Sequence, residues 1–174
     1  MRLRTDFPED VLREADACRP ADLADDPTRE DMRHLLSFTI DGRDAKDFDD
    51  SVSLEQLENG NVLLGVHIAD VGHYVKPGTA LDREAFARGT SVYLPGRVLP
   101  MLPEQLCNGV CSLRPNEDKF TMTALMEIDD ARRVVNERIA RTITRSKARL
   151  VYDDVNALFN GSEQQQAAMA PVAN

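Results

Sequence analysis

Two apolar runs, residues 51–57 (SVSLEQL) and 62–70 (VLLGVHIAD), face each other across Asn59-Gly60. Asn-Gly between such runs is the strongest short-range hairpin signal, because both residues tolerate the positive φ that a turn matched to strand twist requires. A chain organised on that hairpin builds an antiparallel sheet, and neighbouring segments extend it. LSFTI (36–40) is a strand candidate just upstream, and KFTMTALMEID (119–129) and RVVNERIARTITRS (133–146) are two long strands around a turn at Asp129-Asp130.

Helical signals fall between and outside the strands. Residues 8–17 (PEDVLREADA) carry Pro8 and two acids in the first turn. Residues 80–89 (ALDREAFARG) have helical spacing and stop at Gly89, residues 103–112 (PEQLCNGVCS) suggest a short helix, and residues 152–160 (YDDVNALFN) a last one ended by Gly161. Residues 91–103 (SVYLPGRVLPMLP) are Pro-punctuated and extended. The expected class is α+β: a mainly antiparallel, hairpin-joined β-sheet with flanking helices.

Residues 18–31, rich in Asp, Pro and Ala, read as an exposed connection, and residues 161–174 (GSEQQQAAMAPVAN) as a disordered polar tail. This divides the chain into a helix and linker (1–32), one domain (33–160) and a tail (161–174), with no internal repeat. Nothing after the strand at 119–129 closes the sheet, which suggests an incomplete domain. With 42% hydrophobic residues in 174 the chain holds one core, and with no Trp and 5% aromatics that core should be mostly aliphatic.

No apolar run reaches membrane-spanning length, and the N-terminus is not a signal peptide. Cys18, Cys107 and Cys111 have no partner pair at zinc-site spacing and read as reduced thiols in a cytoplasmic protein. The net charge of −9 disfavours non-specific nucleic-acid binding, which depends on Lys and Arg meeting phosphates. Where the charge sits matters more than its sum.

Much of it sits in residues 41–50 (DGRDAKDFDD), where five Asp against one Arg and one Lys give 2 − 5 = −3. Most such runs are solvated surface loops. This one lies between two apolar strands, at the rim of a sheet, and all its acids are Asp, whose short side chain holds an oxygen close to a fixed backbone as hard cations require. Carboxylates crowded within ~5 Å repel by roughly 3 kcal/mol per pair at an effective dielectric near 20, which divalent ions would relieve. Phosphodiester hydrolysis uses such clusters, with two ions bridging the scissile phosphate. A calcium-sensor loop counted from Asp47 fails, because its sixth position is Val52 where that motif needs Gly.

FTIDGRDAKDFDDSV, followed by GVHIADVGHYVKPGTALDREAFARGTSVYLPGRVLPMLPEQLCNGVCSL, resembles the catalytic (RNB) domain of the ribonuclease II/ribonuclease R family over roughly residues 33–155. The resemblance implies a hydrolytic 3′→5′ exoribonuclease that releases nucleoside 5′-monophosphates from single-stranded RNA. It implies Mg²⁺ (or Mn²⁺) held by four acids, which match Asp41, Asp47, Asp49 and Asp50 here, with Asp49 the one chemistry tolerates losing least. Asp44 falls at a variable position. Tyr93, otherwise a strand aromatic, matches the residue that stacks on a nucleotide near the scissile bond.

The family also carries OB-fold RNA-binding domains on both sides of the catalytic domain, and a later half of that domain supplying an Arg that clamps the phosphate. Neither is recognisable here, so the resemblance is to an N-terminal part of the domain, expected to be inactive or nearly so alone. The rival readings are a catalytically inactive RNA- or metal-binding remnant, and a plain acidic interaction domain.

Three further groups carry weaker signals. His67, Asp70 and His73 have spacing suggestive of a metal site, but structural roles are favoured, and His34 carries no motif. Arg132, Arg133, Arg138, Arg141, Arg145, Lys147 and Arg149, against the single acid Glu137, form either a solvated strand face or a stripe that guides RNA phosphates.

Overall fold

The computed structural model describes residues 5–161. The Asn59-Gly60 hairpin forms, but as a five-residue loop in which only Gly60 takes positive φ (+88°), with Leu57 N–H donating to the Asn61 carbonyl at 2.9 Å. The main sheet contains β1 (Glu30–Asp31), β2 (Ser37–Asp41), β3 (Asp50–Gln56) and β4 (Val62–Ala69). A separate two-stranded hairpin, β5 (Val92–Leu94) and β6 (Arg97–Leu99), follows. The main sheet then resumes with β7 (Asp118–Ile128), β8 (Val134–Arg145) and β9 (Ala148–Val151).

The sheet order is β1-β8-β7-β4-β3-β2-β9, antiparallel except for the β1–β8 and β2–β9 pairs. This agrees with the mainly antiparallel α+β expectation. Strand β9 and the two-residue β1 are additions, neither of which the sequence pattern suggests.

One short connection fixes the shape. Strands β8 and β9 stand five inter-strand spacings apart in the sheet order, about 24 Å if the sheet were flat. Only Ser146 and Lys147 join them, and three Cα–Cα steps reach at most about 11 Å. The sheet therefore rolls until its edges approach. Lys147 N–H seals the approach by donating to the Ser37 carbonyl at 2.7 Å, and Asn116 N–H to that of Ser146 at 2.8 Å.

A tightly rolled sheet leaves little room inside, and the residues facing inward are small and polar. Ser37, Thr39, Ser51, Ser53, His67, Thr121, Thr123, Thr142 and Thr144 are all buried. The hydrophobic core is mostly aliphatic, as expected, but within the roll buried serines and threonines line the interior beside it, several of them bonded to one another. Ser53 Oγ lies 2.9 Å from His67 Nε2, His67 Nδ1 2.9 Å from Thr123 Oγ1, and Thr142 Oγ1 2.7 Å from Thr123 and 2.6 Å from Thr121. Both ring nitrogens of His67 thus have hydroxyl partners, and burial pushes its pKa down to about 4, which keeps the imidazole neutral.

The apolar core lies at one end of the roll. Helix α1 (Glu9–Ala17) contributes Val11 and Ala15, and α3 (Ala80–Arg88), which follows the single-turn α2 (Val71–Tyr74), contributes Ala80 and Leu81. These pack with Phe48, Ala69, Leu106 and Leu113. Glu14 of α1 accepts from the Ala80 and Leu81 amides at 3.0 and 2.9 Å, satisfying the open start of α3, and Thr79 Oγ1 accepts from Asp82 N–H at 3.2 Å. Residues 106–110 form a short helical turn kinked at Gly109, and α4 (Tyr152–Asn160) closes the described chain.

The segment read as an exposed connection, residues 18–31, is largely exposed but anchored to the sheet at two points. Ala21 and Arg29 are buried, and Arg29 donates to Asp70 at 2.6 Å and Asp26 at 3.0 Å while its guanidinium lies 4.2 Å from the Phe120 ring centroid. A buried guanidinium needs such partners, and they draw the segment against β7 and β8. The tail expected to be disordered lies, beyond Gly161, outside the described residues. All three cysteines are unpaired, and no helix among the described residues is long and apolar enough to cross a membrane.

Gly65 tests the rolled interior, because a Cβ there would meet Ser53 Oγ at 2.5 Å and His67 Nε2 at 2.9 Å. Gly65→Ala should destabilise by about 1–3 kcal/mol, lowering Tm by roughly 2–10 °C in thermal unfolding. An unchanged Tm would mean that the interior is looser than described.

Candidate metal centre

The acidic loop spans the gap between β2 and β3. Asp41 is the last residue of β2 and Asp50 the first of β3. Phe48 organises what lies between them. Its side chain enters the apolar core, while Asp49 is exposed and Asp47 is only partly buried.

Backbone pins hold this arrangement against its own charge. Phe48 N–H donates to Ser112 Oγ at 3.1 Å, Ser112 Oγ donates to the Lys46 carbonyl at 2.8 Å, and Leu113 N–H donates to the Phe48 carbonyl at 2.8 Å. Ala69 N–H donates to the Asp49 carbonyl at 2.9 Å, fixing the loop's end to β4.

Arg149 holds the other side. From β9, which lies parallel to β2, its guanidinium reaches the carbonyls of Arg43 (2.6 Å), Gly42 (3.2 Å) and Ala45 (3.4 Å) and lies 4.9 Å from the Phe48 ring centroid. Its positive charge also works on Asp41. No local pattern marks Arg149 among the basic residues around it; only the β2–β9 pairing does.

The electrostatics show that the aspartates sense one another. The Asp41 carboxyl is raised above its ordinary pKa by burial first, with the nearby Thr39 hydroxyl and Arg149 opposing and Asp50 and Asp47 adding to the rise. Asp49 is raised in the same way, by the protein atoms packed around its carboxylate and then by Asp47, Asp50 and Asp41, even though the residue stays open to solvent on one side. One oxygen of Asp41, Oδ2, is buried without a hydrogen-bond partner.

These features suit a hard divalent cation: oxygen donors only, crowded like charge, and an orphaned buried carboxylate oxygen. The coordination sphere is not assembled, however. Among the described residues no three His, Cys, Asp or Glu side chains converge to hold an ion.

Tyr93, on β5, stands over the loop with 65% of its surface exposed, and its hydroxyl donates to Asp47 Oδ2 at 2.8 Å. That bond, with some burial, pushes the phenol up to about 12. A cleft of about 460 Å³ opens beside the pair, lined by Asp44, Lys46, Asp47, Leu94, Arg97 and Cys107 among others.

The remaining groups are structural. His67 is sealed in the sheet interior, and Asp70 pairs with Arg29 and caps α2 by accepting from His73 N–H at 3.1 Å. In the basic stripe, Arg133 pairs with Asp129, Arg138 with Glu30, Arg141 with Asp26 and Arg145 with Asp118, while Lys147 donates to the Arg33 carbonyl. These cations are engaged within the protein, which favours the solvated-face reading over the phosphate stripe.

Comparison with known proteins bears on the same segment. The RNB domain family matches residues 29–173. Ribonuclease R of Thermotoga maritima is 55% identical over 155 residues, 87% of this chain and 21% of that protein. Ribonuclease R 1 of Lactococcus lactis is 46% identical over 176 residues, covering all of this chain and 21% of its own length. Among solved structures, Mycoplasma genitalium RNase R in complex with ribose methylated single-stranded RNA superposes with a TM-score of 0.86 at 31% identity, over 98% of this chain and 28% of that one. The chain thus spans about a fifth of the length of these curated relatives.

Arg149→Ala should release the acidic loop. Amide hydrogen exchange over residues 42–48 should accelerate, and stability should fall by about 1.5–3 kcal/mol, the usual scale for hydrogen bonds to a charged group. Exchange in that loop indistinguishable from wild type would remove Arg149 from the site.

Proposed function

The chain belongs to the RNB-domain family, and we propose that it carries the metal-binding acidic site of a hydrolytic 3′→5′ exoribonuclease acting on single-stranded RNA. The observation that carries this reading is the pinned aspartate loop: four carboxylates crowded at the rim of a sheet, two of them raised by burial and mutual repulsion, in a family whose named relatives are ribonucleases. The solved relative with single-stranded RNA bound supports the substrate class.

In this reading Asp41, Asp47, Asp49 and Asp50 hold Mg²⁺ or Mn²⁺. The bound metal supplies Lewis acidity at a phosphoryl oxygen and a hydroxide-like attacking water at neutral pH. The residues of the chain supply position. Phe48 and the Ser112 and Arg149 bonds hold the main chain of the loop against the repulsion of its carboxylates, so that only side-chain movement is needed to gather them on an ion. Tyr93 offers an exposed aromatic face beside the site, suited to stacking on a base at the RNA 3′ end. The product is a nucleoside 5′-monophosphate. Orientation of the scissile phosphate and processive movement of the strand need positive groups beyond this loop.

A segment exchange tests the proposal. Residues 29–161 would replace the matching segment of the Thermotoga maritima protein, and the chimera would be given 5′-labelled single-stranded RNA with Mg²⁺. It should release nucleoside 5′-monophosphates from the 3′ end. Asp49→Asn in the chimera should slow hydrolysis by at least about 100-fold, more than the loss of an outer-shell partner typically costs, while RNA retention is unchanged. Hydrolysis that survives Asp49→Asn, or that needs no divalent ion, would overturn the proposal.

A further inference from the structure

Two observations at the acidic loop pull against each other. The four aspartates share one ten-residue loop whose main chain is pinned on both sides, yet no three of them converge on a common point among the described residues. Asp47 shows why. Its Oδ2 accepts the Tyr93 hydroxyl at 2.8 Å, so the carboxylate is directed at the β5–β6 hairpin as well as at its acidic neighbours. That hairpin pairs only with itself and takes no place in the main sheet, and its Pro95-Gly96 turn puts Gly96 at φ +73°. The Tyr93 ring is largely in solvent, so the hydroxyl bond is a principal link between hairpin and loop.

We propose that Tyr93 is a positioning residue that latches Asp47 away from the ion-binding arrangement, and that a divalent cation taking the Asp47 carboxylate displaces the Tyr93 hydroxyl. Metal loading and release of the Tyr93 ring are then one event. The hydroxyl is freed, and the exposed ring can turn beside the site, when the site becomes competent; until then the bond to Asp47 fixes the ring's orientation. The inference rests on the acidic loop being a divalent site. It adds that a hydrogen-bond donor and a cation compete for one carboxylate.

The composition makes the test direct. The chain has no Trp and three Tyr, so its near-ultraviolet emission is tyrosine emission. A phenol that donates to a carboxylate is quenched by excited-state proton transfer, and a released phenol is not. Titrating the 174-residue chain with Mg²⁺, which is not itself a quencher, should raise the tyrosine emission along the same curve that calorimetry gives for binding. Tyr93→Phe should abolish the rise and bind Mg²⁺ on the order of 3- to 10-fold more tightly, the usual scale for removing one competing hydrogen bond. Asp47→Asn should also lose the response.

The Tm of metal-free Tyr93→Phe should stay within a few degrees of wild type, which separates positioning from a general structural role. Wild-type binding with unchanged emission, or equal or weaker Mg²⁺ affinity in Tyr93→Phe, would overturn the latch and leave the metal reading intact. Absence of Mg²⁺ binding at millimolar concentration in both proteins would overturn the metal reading and the latch with it.

Discussion

Like charges crowded at the rim of a sheet repel, and the order of the acidic loop depends on what opposes that repulsion. Here the opposition comes from the backbone more than from counter-ions. Phe48, between Asp47 and Asp49, buries its ring, and Ser112, Leu113, Ala69 and Arg149 bond to main-chain atoms on both sides of it. Arg43, a cation within the loop, turns instead to Asp153 of α4 at 3.2 Å. The main chain of the loop is held in place while its carboxylates are left without ion pairs of their own among the described residues, so their charge remains available to a cation.

The rest of the fold serves those pins. Arg149 reaches the loop only because β9 lies along β2, and β9 lies there only because the sheet rolls far enough for Ser146 and Lys147 to bridge its edges. Rolling leaves a narrow interior that Gly65, His67 and a row of serines and threonines can fill. Larger aliphatic residues on that face would force the roll open, separate β9 from β2 and take Arg149 off the loop. The hydroxyl-lined interior and the acidic rim are therefore parts of one construction.

Much of this was legible in the sequence, and the parts that were not share a cause. The Asn59-Gly60 hairpin, the long β7–β8 pair and the helices starting near Pro8 and Ala80 follow from local spacing and turn chemistry, and each formed within a residue or two of expectation. The acidic loop was legible because five Asp in ten residues between apolar strands is a local pattern. Strand β9 was hidden because its four residues sit within a run of basic residues and pair with a strand more than 100 positions away. The anchoring of residues 18–31 depends on Arg29 meeting Asp70 and Phe120, and the Tyr93–Asp47 bond spans 46 positions. Such contacts leave no periodic trace; they belong to the folded chain, where partners distant in sequence become neighbours.

The central claim is that the pinned aspartates bind a divalent cation. The most direct measurement is anomalous X-ray scattering from crystals of the chain equilibrated with Mn²⁺. An anomalous peak is expected at roughly 2.0–2.2 Å from carboxylate oxygens of the Asp41–Asp50 loop, with Asp41 Oδ2 among them, as hard octahedral ions require. No peak at that loop under saturating Mn²⁺, or a peak bound only elsewhere on the chain, would contradict the claim.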